Sequence, residues 1–426
     1  MDILIKNGTL IDPSCNLEGV YDIYMRSGVI TKVGKTLETS GEETTVIDAK
    51  GCFVMPGFID LHVHLREPGF EYKETIESGA NAGARGGFTT ILAMPNTKPV
   101  IDRKEMVELV HKKAEQDALI HVLQIAAITK GQMGEELADI DGMIDAGAPG
   151  ISEDGKSVMD SALYKEAMSI AARRGVPVMA HCEDITLVKG GVMNDDDKAK
   201  ELGMPGISNA VEDVIVARDI ALAKETGAKL HLCHCSTADS VKMVEKAKEE
   251  GLSVTAEVCP HHFILTTDDI KEDDANYKMN PPIRTKEDVK ALKEGLKNDI
   301  MDVIATDHAP HSKEEKEKSI KDAPFGIVGL ETCASLTYTY LVKEGYLTPM
   351  QMAAKMSYHP SNIIGLDKGS LREGKTADIV IFDPEKEYTI HTKDFVSKGK
   401  NSPFEGYKVF GQVMTTIVEG KVVYQA

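Results

Sequence analysis

The sequence predicts an α/β protein: a (β/α)8 barrel of the TIM type beside a small composite β-sandwich drawn from both termini. Three observations carry this prediction. Short apolar strands alternate with longer helical stretches from Pro56 to about residue 364, a pattern best closed as eight parallel strands wrapped in helices. Strand-and-turn grammar replaces that alternation over 1–55 and again from Gly365. The chain has 426 residues, more than one hydrophobic core supports, since cores stop growing at about 250–300 residues.

Taken in order, 22–26 and 29–33 flank Ser27-Gly28, a two-residue hairpin signal. Segments 45–48 and 52–55 repeat that arrangement around Ala49-Lys50-Gly51. Eight barrel strands follow at 58–64, 89–94, 121–126, 150–153, 177–182, 229–235, 254–259 and 302–306. Asp102-Arg103-Lys104-Glu105 has the spacing of a capping box ahead of Met106, Leu109 and Val110. Helices over 209–227 and 237–251 are each stopped by a glycine. The charge run 313–318 reads as a solvated loop. An apolar strand at 377–383 and a hairpin of 412–418 with 421–424 close the chain. Neither terminal part has much core alone. Residues 1–55 and 365–426 are therefore expected to pack as one sandwich beside the barrel of 56–364.

Composition excludes several functions. The formal net charge is −19 and the pI near 5.2, against nonspecific nucleic-acid binding or attraction to an anionic membrane, which need a basic face. A small anionic substrate needs only a local basic pocket. No run approaches the ~18 apolar residues of a membrane span. The seven cysteines fall at irregular positions, unlike a disulfide framework. With no charged-then-apolar leader at the N-terminus, a reduced, cytoplasmic protein is expected.

Chemistry-bearing residues collect at strand ends. Asp60-Leu61-His62-Val63-His64 ends the first barrel strand. Strand side chains alternate, so His62 and His64 share a face and can chelate one divalent ion. Strand four ends in Glu153-Asp154, strand five in His181, strand six in His234 and strand eight in Asp307. Each alone is as well explained by a hydrogen-bonded strand end. Four imidazoles and two carboxylates at the mouth of one barrel suit a binuclear zinc centre, and Asp154 has two oxygens to bridge with. Arg66, two residues after His64, can grip a carboxylate bidentately. Among the cysteines beside these residues, Cys235 is the one to watch. His261-His262 are expected to face opposite ways in a structural role.

Seven segments make this specific: PGFIDLHVHLREPG (56–69), GGFTTILAMPNTKP (86–99), SEDG (152–155), AHCED (180–184), HCST (234–237), NPPIR (280–284) and ATDHAPH (305–311). Through them the chain resembles the long bacterial dihydroorotases of the amidohydrolase superfamily over essentially its whole length. The resemblance implies reversible hydrolysis of (S)-dihydroorotate to N-carbamoyl-L-aspartate in pyrimidine synthesis. It implies one to two Zn2+ per chain: His62 and His64 on the first, His181 and His234 on the second, and Asp154 between them. Asp307 would touch the first zinc and act as catalytic base. His64, Arg66, Asn96, Asn280 and His311 would contact substrate, with Phe325 and Gly326 offering backbone groups. The alternative is a hydantoinase or allantoinase, whose relatives bridge their metals with a carboxylated lysine. Lys156 stands nearby for that role. A homodimer or a transcarbamoylase complex is left open.

Overall fold

The computed structural model describes residues 2–38 and 44–426. Its first five strands are β1 (Asp2–Asp12), β2 (Leu17–Arg26), β3 (Val29–Gly34), β4 (Thr44–Asp48) and β5 (Phe53–Pro56). The β2–β3 hairpin turns at Ser27 and Gly28, with φ of 52° and 80°, as a type I′ turn requires. The second expected hairpin does not form. β4 and β5 both run parallel to β1, β4 along Asp2–Lys6 and β5 along Thr9 and Leu10. The cause is a register break in β1 between Ile5 and Gly8. There Asn7 takes φ 63° and its Nδ2 donates to Asp48 Oδ1 at 2.9 Å. A side chain at Gly8 would meet Val54 at 2.4 Å, so glycine permits this approach.

The barrel follows. Its strands are β6 (Phe58–Val63), β7 (Phe88–Ala93), β8 (His121–Gln124), β9 (Ala126–Ala127), β10 (Ile151–Ser152) and β11 (Val178–Ala180). A small parallel pair, β12 (Met193–Asn194) and β13 (Gly206–Ile207), lies outside the barrel ladder. β14 (Leu230–Leu232), β15 (Val254–Val258) and β16 (Val303–Ile304) complete the barrel. β8 and β9 are one strand interrupted at Ile125: β8 pairs with β7 and β9 with β10. The circle closes where His64 N donates to His308 O at 2.8 Å. These ladders are shorter than the apolar runs in the sequence, because the last residues of several runs leave the sheet at the mouth. A cluster of Ile59, Leu61, Leu92, Ile125, Met179 and Val303 draws on five barrel strands. It fills the barrel on the N-terminal side of the histidines.

β17 (Ile379–Thr389), β18 (Lys408–Val418) and β19 (Lys421–Gln425) return to the N-terminal strands. β17 pairs antiparallel with β5, from Ile379 opposite Pro56 to Phe382 opposite Phe53. The ladder is therefore continuous, in the order β19-β18-β17-β5-β1-β2-β3. Ile3, Ile5, Leu10, Ile23, Val54, Ile379, Ile381 and Ile417 share its core, so both ends of the chain supply apolar surface that neither buries alone.

Two local expectations change. Asp102 does not cap the helix Lys104–Asp117, which starts from Arg103 without a side-chain cap. Asp102 Oδ2 instead accepts from Gly131 N at 2.8 Å. The run 313–318 is solvated at Lys313, Glu314, Glu317 and Lys318 but is not a plain loop: a short helix, Lys313–Lys316, is capped reciprocally by Ser312 and Glu315. Lys316 is buried, its Nζ donating to the carbonyls of Lys278, Pro324 and Gly326 at 3.2, 3.1 and 2.9 Å. Three acceptors match the three donors of an ammonium. Among the described residues, no helix is long and apolar enough to cross a membrane.

Candidate active site

Asp154 sits at the centre of the barrel mouth, just beyond β10. Its Oδ1 lies 3.1 Å from His62 Nε2, 3.6 Å from His181 Nδ1 and 3.7 Å from His234 Nε2. Its Oδ2 lies 3.4 Å from His64 Nε2. Asp307 Oδ1 approaches His64 Nε2 at 3.1 Å and His62 Nε2 at 3.6 Å. All six groups are buried. Arg66, His234 and Asp307 take φ of 62°, 33° and 48°, a left-handed conformation that non-glycine residues seldom adopt and that clusters at functional sites.

Three of the four imidazoles have their other nitrogen paired, while His234 Nδ1 is buried with no hydrogen-bond partner among the described residues. His62 Nδ1 lies 2.8 Å from Glu257 Oε1, and His64 Nδ1 donates to Asn96 Oδ1 at 2.9 Å. His181 Nε2 is 3.1 Å from Glu183 Oε2. Such partners fix the tautomer and aim the remaining lone pair. Burial would raise the Asp154 carboxyl, but His62, His181 and His234 outweigh it and hold it well below the usual range. Asp307 behaves alike: burial opposes its charge, and His64, with the charge of the neighbouring imidazoles, keeps it ionised.

The residues fit a metal. Asp154 Oδ1 and His62 Nε2 are fully enclosed without a hydrogen-bond partner among the described residues. His181 Nδ1 and His234 Nε2 face each other at 2.9 Å, so both cannot carry a proton. His62-His64-Asp307 and His62-Asp154-His234 each bring three donor atoms within 4.8 Å of one another. Imidazole and carboxylate donors in a buried cluster suit a divalent ion.

A cavity of about 160 Å³ opens onto this cluster. Arg66, Asn96, Asn280, Phe325 and Gly326 line it, together with His64, Asp154, His181, His234 and Asp307. Arg66 Nε donates to Pro310 O at 3.2 Å. Among the described residues no carboxylate lies within ion-pair distance of its guanidinium. His311 is not on the cavity wall. Its Nε2 donates to Phe325 O at 2.7 Å, and its Nδ1 accepts from Lys73 Nζ at 3.2 Å. Burial and the charges of Arg66, Lys73 and Lys316 keep this ring neutral. It steadies the Phe325 segment from behind.

The neighbours divide as follows. Glu153 turns away, accepting from Ile128 N, Thr129 N and Thr129 Oγ1. Lys156 is exposed and donates to Gln132 O at 2.9 Å. Cys233, rather than Cys235, is the cysteine drawn into the cluster, within reach of His62 and Glu257. His261 and His262 do not face opposite ways: they lie on one turn of the helix Pro260–Ile264, with ring centroids 4.2 Å apart. The expectation assumed strand alternation where the chain had begun a helix.

Three acidic residues escaped sequence reasoning. Glu257 supports His62, His231 Nε2 at 3.0 Å and His234 N at 3.1 Å. Asp60, pushed up to about 7 mainly by burial, accepts from His62 N and Thr306. Glu183 meets His181. A carboxylate inside an apolar strand, as in Val254-Thr255-Ala256-Glu257-Val258, was the available signal for Glu257.

Barrel, composite sheet and a carboxylate-centred imidazole cluster together define an amidohydrolase-type enzyme. Solved structures agree. The L-hydantoinase (dihydropyrimidinase) from Arthrobacter aurescens superposes with a TM-score of 0.89 at 27% identity, covering 100% of this chain and 96% of its own. Dihydropyrimidinase from Brevibacillus agri gives 0.87 at 25%, covering 100% and 95%. Sequence comparison is narrower. Residues 51–240 match the Dihydro-orotase-like family. The chain is 48% identical to a dihydroorotase of Bacillus licheniformis, over 100% of this chain and 99% of the relative. It is 47% identical to one of Acetivibrio thermocellus, over 99% and 98%. The chain belongs to the dihydroorotase family.

Proposed function

We propose that the protein hydrolyses the ring amide of (S)-dihydroorotate reversibly to N-carbamoyl-L-aspartate, a step of pyrimidine synthesis, with one to two zinc ions per chain. His62, His64 and Asp307 would hold one ion and His181 and His234 the other, with Asp154 shared. When bound, zinc lowers the pKa of water from roughly 15.7 to 7 and polarises a carbonyl. The remaining work belongs to the chain. Arg66 binds the substrate carboxylate and so fixes the ring. Asn96, Asn280 and the Phe325–Gly326 backbone orient it, with His311 holding that backbone. Asp307 Oδ1 is turned to His62 and His64, leaving Oδ2 to take a proton from the attacking water. It returns that proton to the departing ring nitrogen. All of these residues fall within 56–364, which we assign to catalysis, with 1–55 and 365–426 as the supporting unit.

The observation that carries this reading is Arg66: a guanidinium at the wall of a small cavity, beside the donor cluster, with no internal carboxylate. Such a group calls for an anionic substrate. A hydantoinase-type site bridged by lysine is disfavoured, since Lys156 points to Gln132 and Asp154 occupies the centre.

The test compares dihydroorotate with dihydrouracil, the same ring without its carboxylate, by the ultraviolet absorbance of the cyclic amide. A charged hydrogen bond is worth about 1.5–3 kcal/mol, and leaving Arg66 unpaired adds to the loss. The protein should prefer dihydroorotate by roughly two orders of magnitude or more. Arg66→Met should erase most of that preference by slowing dihydroorotate alone, with metal content intact. Efficient hydrolysis of dihydrouracil or hydantoin with dihydroorotate untouched would defeat the proposal.

A further inference from the structure

We propose that Glu183 is a positioning residue that couples the metal side of the site to its substrate side. This rests on reading His181 as a metal ligand and Asn280 as a substrate contact. The two oxygens of one carboxylate face those two residues. Oε2 lies 3.1 Å from His181 Nε2, and Oε1 accepts from Asn280 Nδ2 at 3.0 Å.

Each contact settles an ambiguity. An acceptor at Nε2 places the His181 proton there and leaves Nδ1 as a lone pair. That lone pair faces His234 Nε2 at 2.9 Å and Asp154 Oδ1 at 3.6 Å. An acceptor at Nδ2 settles which way the Asn280 amide is turned. Its oxygen points away from Glu183, as an acceptor for a substrate N–H at the cavity that Asn280 lines. Asn280 lies 97 positions further along the chain, so Glu183 ties the loop after β11 to a segment that no local hydrogen bond would align with it. The segment around Glu183 is itself fixed: Ser157 Oγ donates to His181 O at 2.7 Å and accepts from Glu183 N at 3.1 Å.

Only a carboxylate of this length serves both partners. Glutamine has one acceptor oxygen, and its NH2 must face the other donor. Aspartate keeps both oxygens but withdraws them by about 1.5 Å, one carbon–carbon bond.

Glu183→Gln, Glu183→Asp, Asn280→Ala and the double variant Glu183→Gln/Asn280→Ala test the coupling. Zinc retention is read by chelator competition in the absence of substrate, and KM and kcat are read at saturating zinc. Partners of metal-binding histidines are worth about 10–100-fold in metal affinity. Glu183→Gln should therefore weaken zinc retention at least about tenfold and raise KM for dihydroorotate, with kcat at saturating zinc and substrate little changed. Glu183→Asp should do the same and keep the thermal unfolding of a folded protein. Asn280→Ala should raise KM with zinc retention unchanged. In the double variant KM should be no higher than in Asn280→Ala alone, because the two residues act as one unit. Parent-like zinc retention and KM in Glu183→Gln overturn the proposal, as does a KM effect that adds in full to that of Asn280→Ala. The zinc arm needs no substrate. A parent protein inactive on dihydroorotate would therefore sink the functional reading while this arm still decided whether Glu183 orients His181.

Discussion

Asp154→Ala should yield a folded protein that no longer holds zinc and turns over dihydroorotate at least about 10³-fold more slowly. Charge stabilisation by a metal is worth several kcal/mol, and each ~1.36 kcal/mol is a decade in rate. Asp154 is the shared centre: its oxygens face all four imidazoles between 3.1 and 3.7 Å. Without it His181 and His234 confront each other with no anion between them, and His62 Nε2 and His64 Nε2 keep only Asp307. The adjacent carboxylate supplies the control. Glu153 accepts from two backbone amides and a threonine hydroxyl. Glu153→Ala should therefore keep zinc and kcat and lose stability instead, by about 1.5–3 kcal/mol for its charged hydrogen bonds. Elemental analysis with thermal unfolding separates the two variants. Prolonged chelation of the parent should reproduce the Asp154→Ala loss, and added zinc should reverse it. A zinc-free Asp154→Ala protein with parent-like turnover would end the metal-centre reading.

The sequence made the barrel legible because five of the eight strand runs end in chemistry-bearing residues and two of the helices end at a glycine. Gly227 and Gly251, both at positive φ, stand where the helices stop. The convergence of the six side chains was legible for the same reason, since strand ends meet at one mouth whatever the loops do. What stayed hidden depends on contacts between distant segments. β4 and β5 look like a hairpin locally, yet both pair with β1, because a bulge near Asn7 and Gly8 lets one long strand serve two partners. Lys316 reads as one charge in a polar run. Its burial is set by carbonyls at Lys278, Pro324 and Gly326 that fold back over it. Glu183 and Glu257 escaped because hydrogen bonds to a histidine's second nitrogen leave no spacing rule in sequence.

Asp307→Asn is the sharpest test of the chemistry itself, because the variant changes almost nothing else. Asp307 adopts φ 48°, and asparagine is among the few side chains that tolerate the left-handed region. The backbone on either side is held independently. Thr306 donates to Asp60, and His308 accepts from Gly329 N at 3.1 Å while contacting Glu74 at 3.2 Å. The amide therefore inherits the same place and keeps an oxygen for a metal. What it loses is the capacity to accept and return a proton. General acid–base catalysis contributes typically about 10²–10⁴-fold, and kcat should fall by at least that range. Zinc content should fall much less, since His62, His64 and Asp154 remain. Asp307→Ala would be harder to read, because alanine is strained at this φ and also removes the oxygen. If zinc-replete Asp307→Asn keeps a near-normal kcat, the proton is carried by another group and Asp307 is only a ligand.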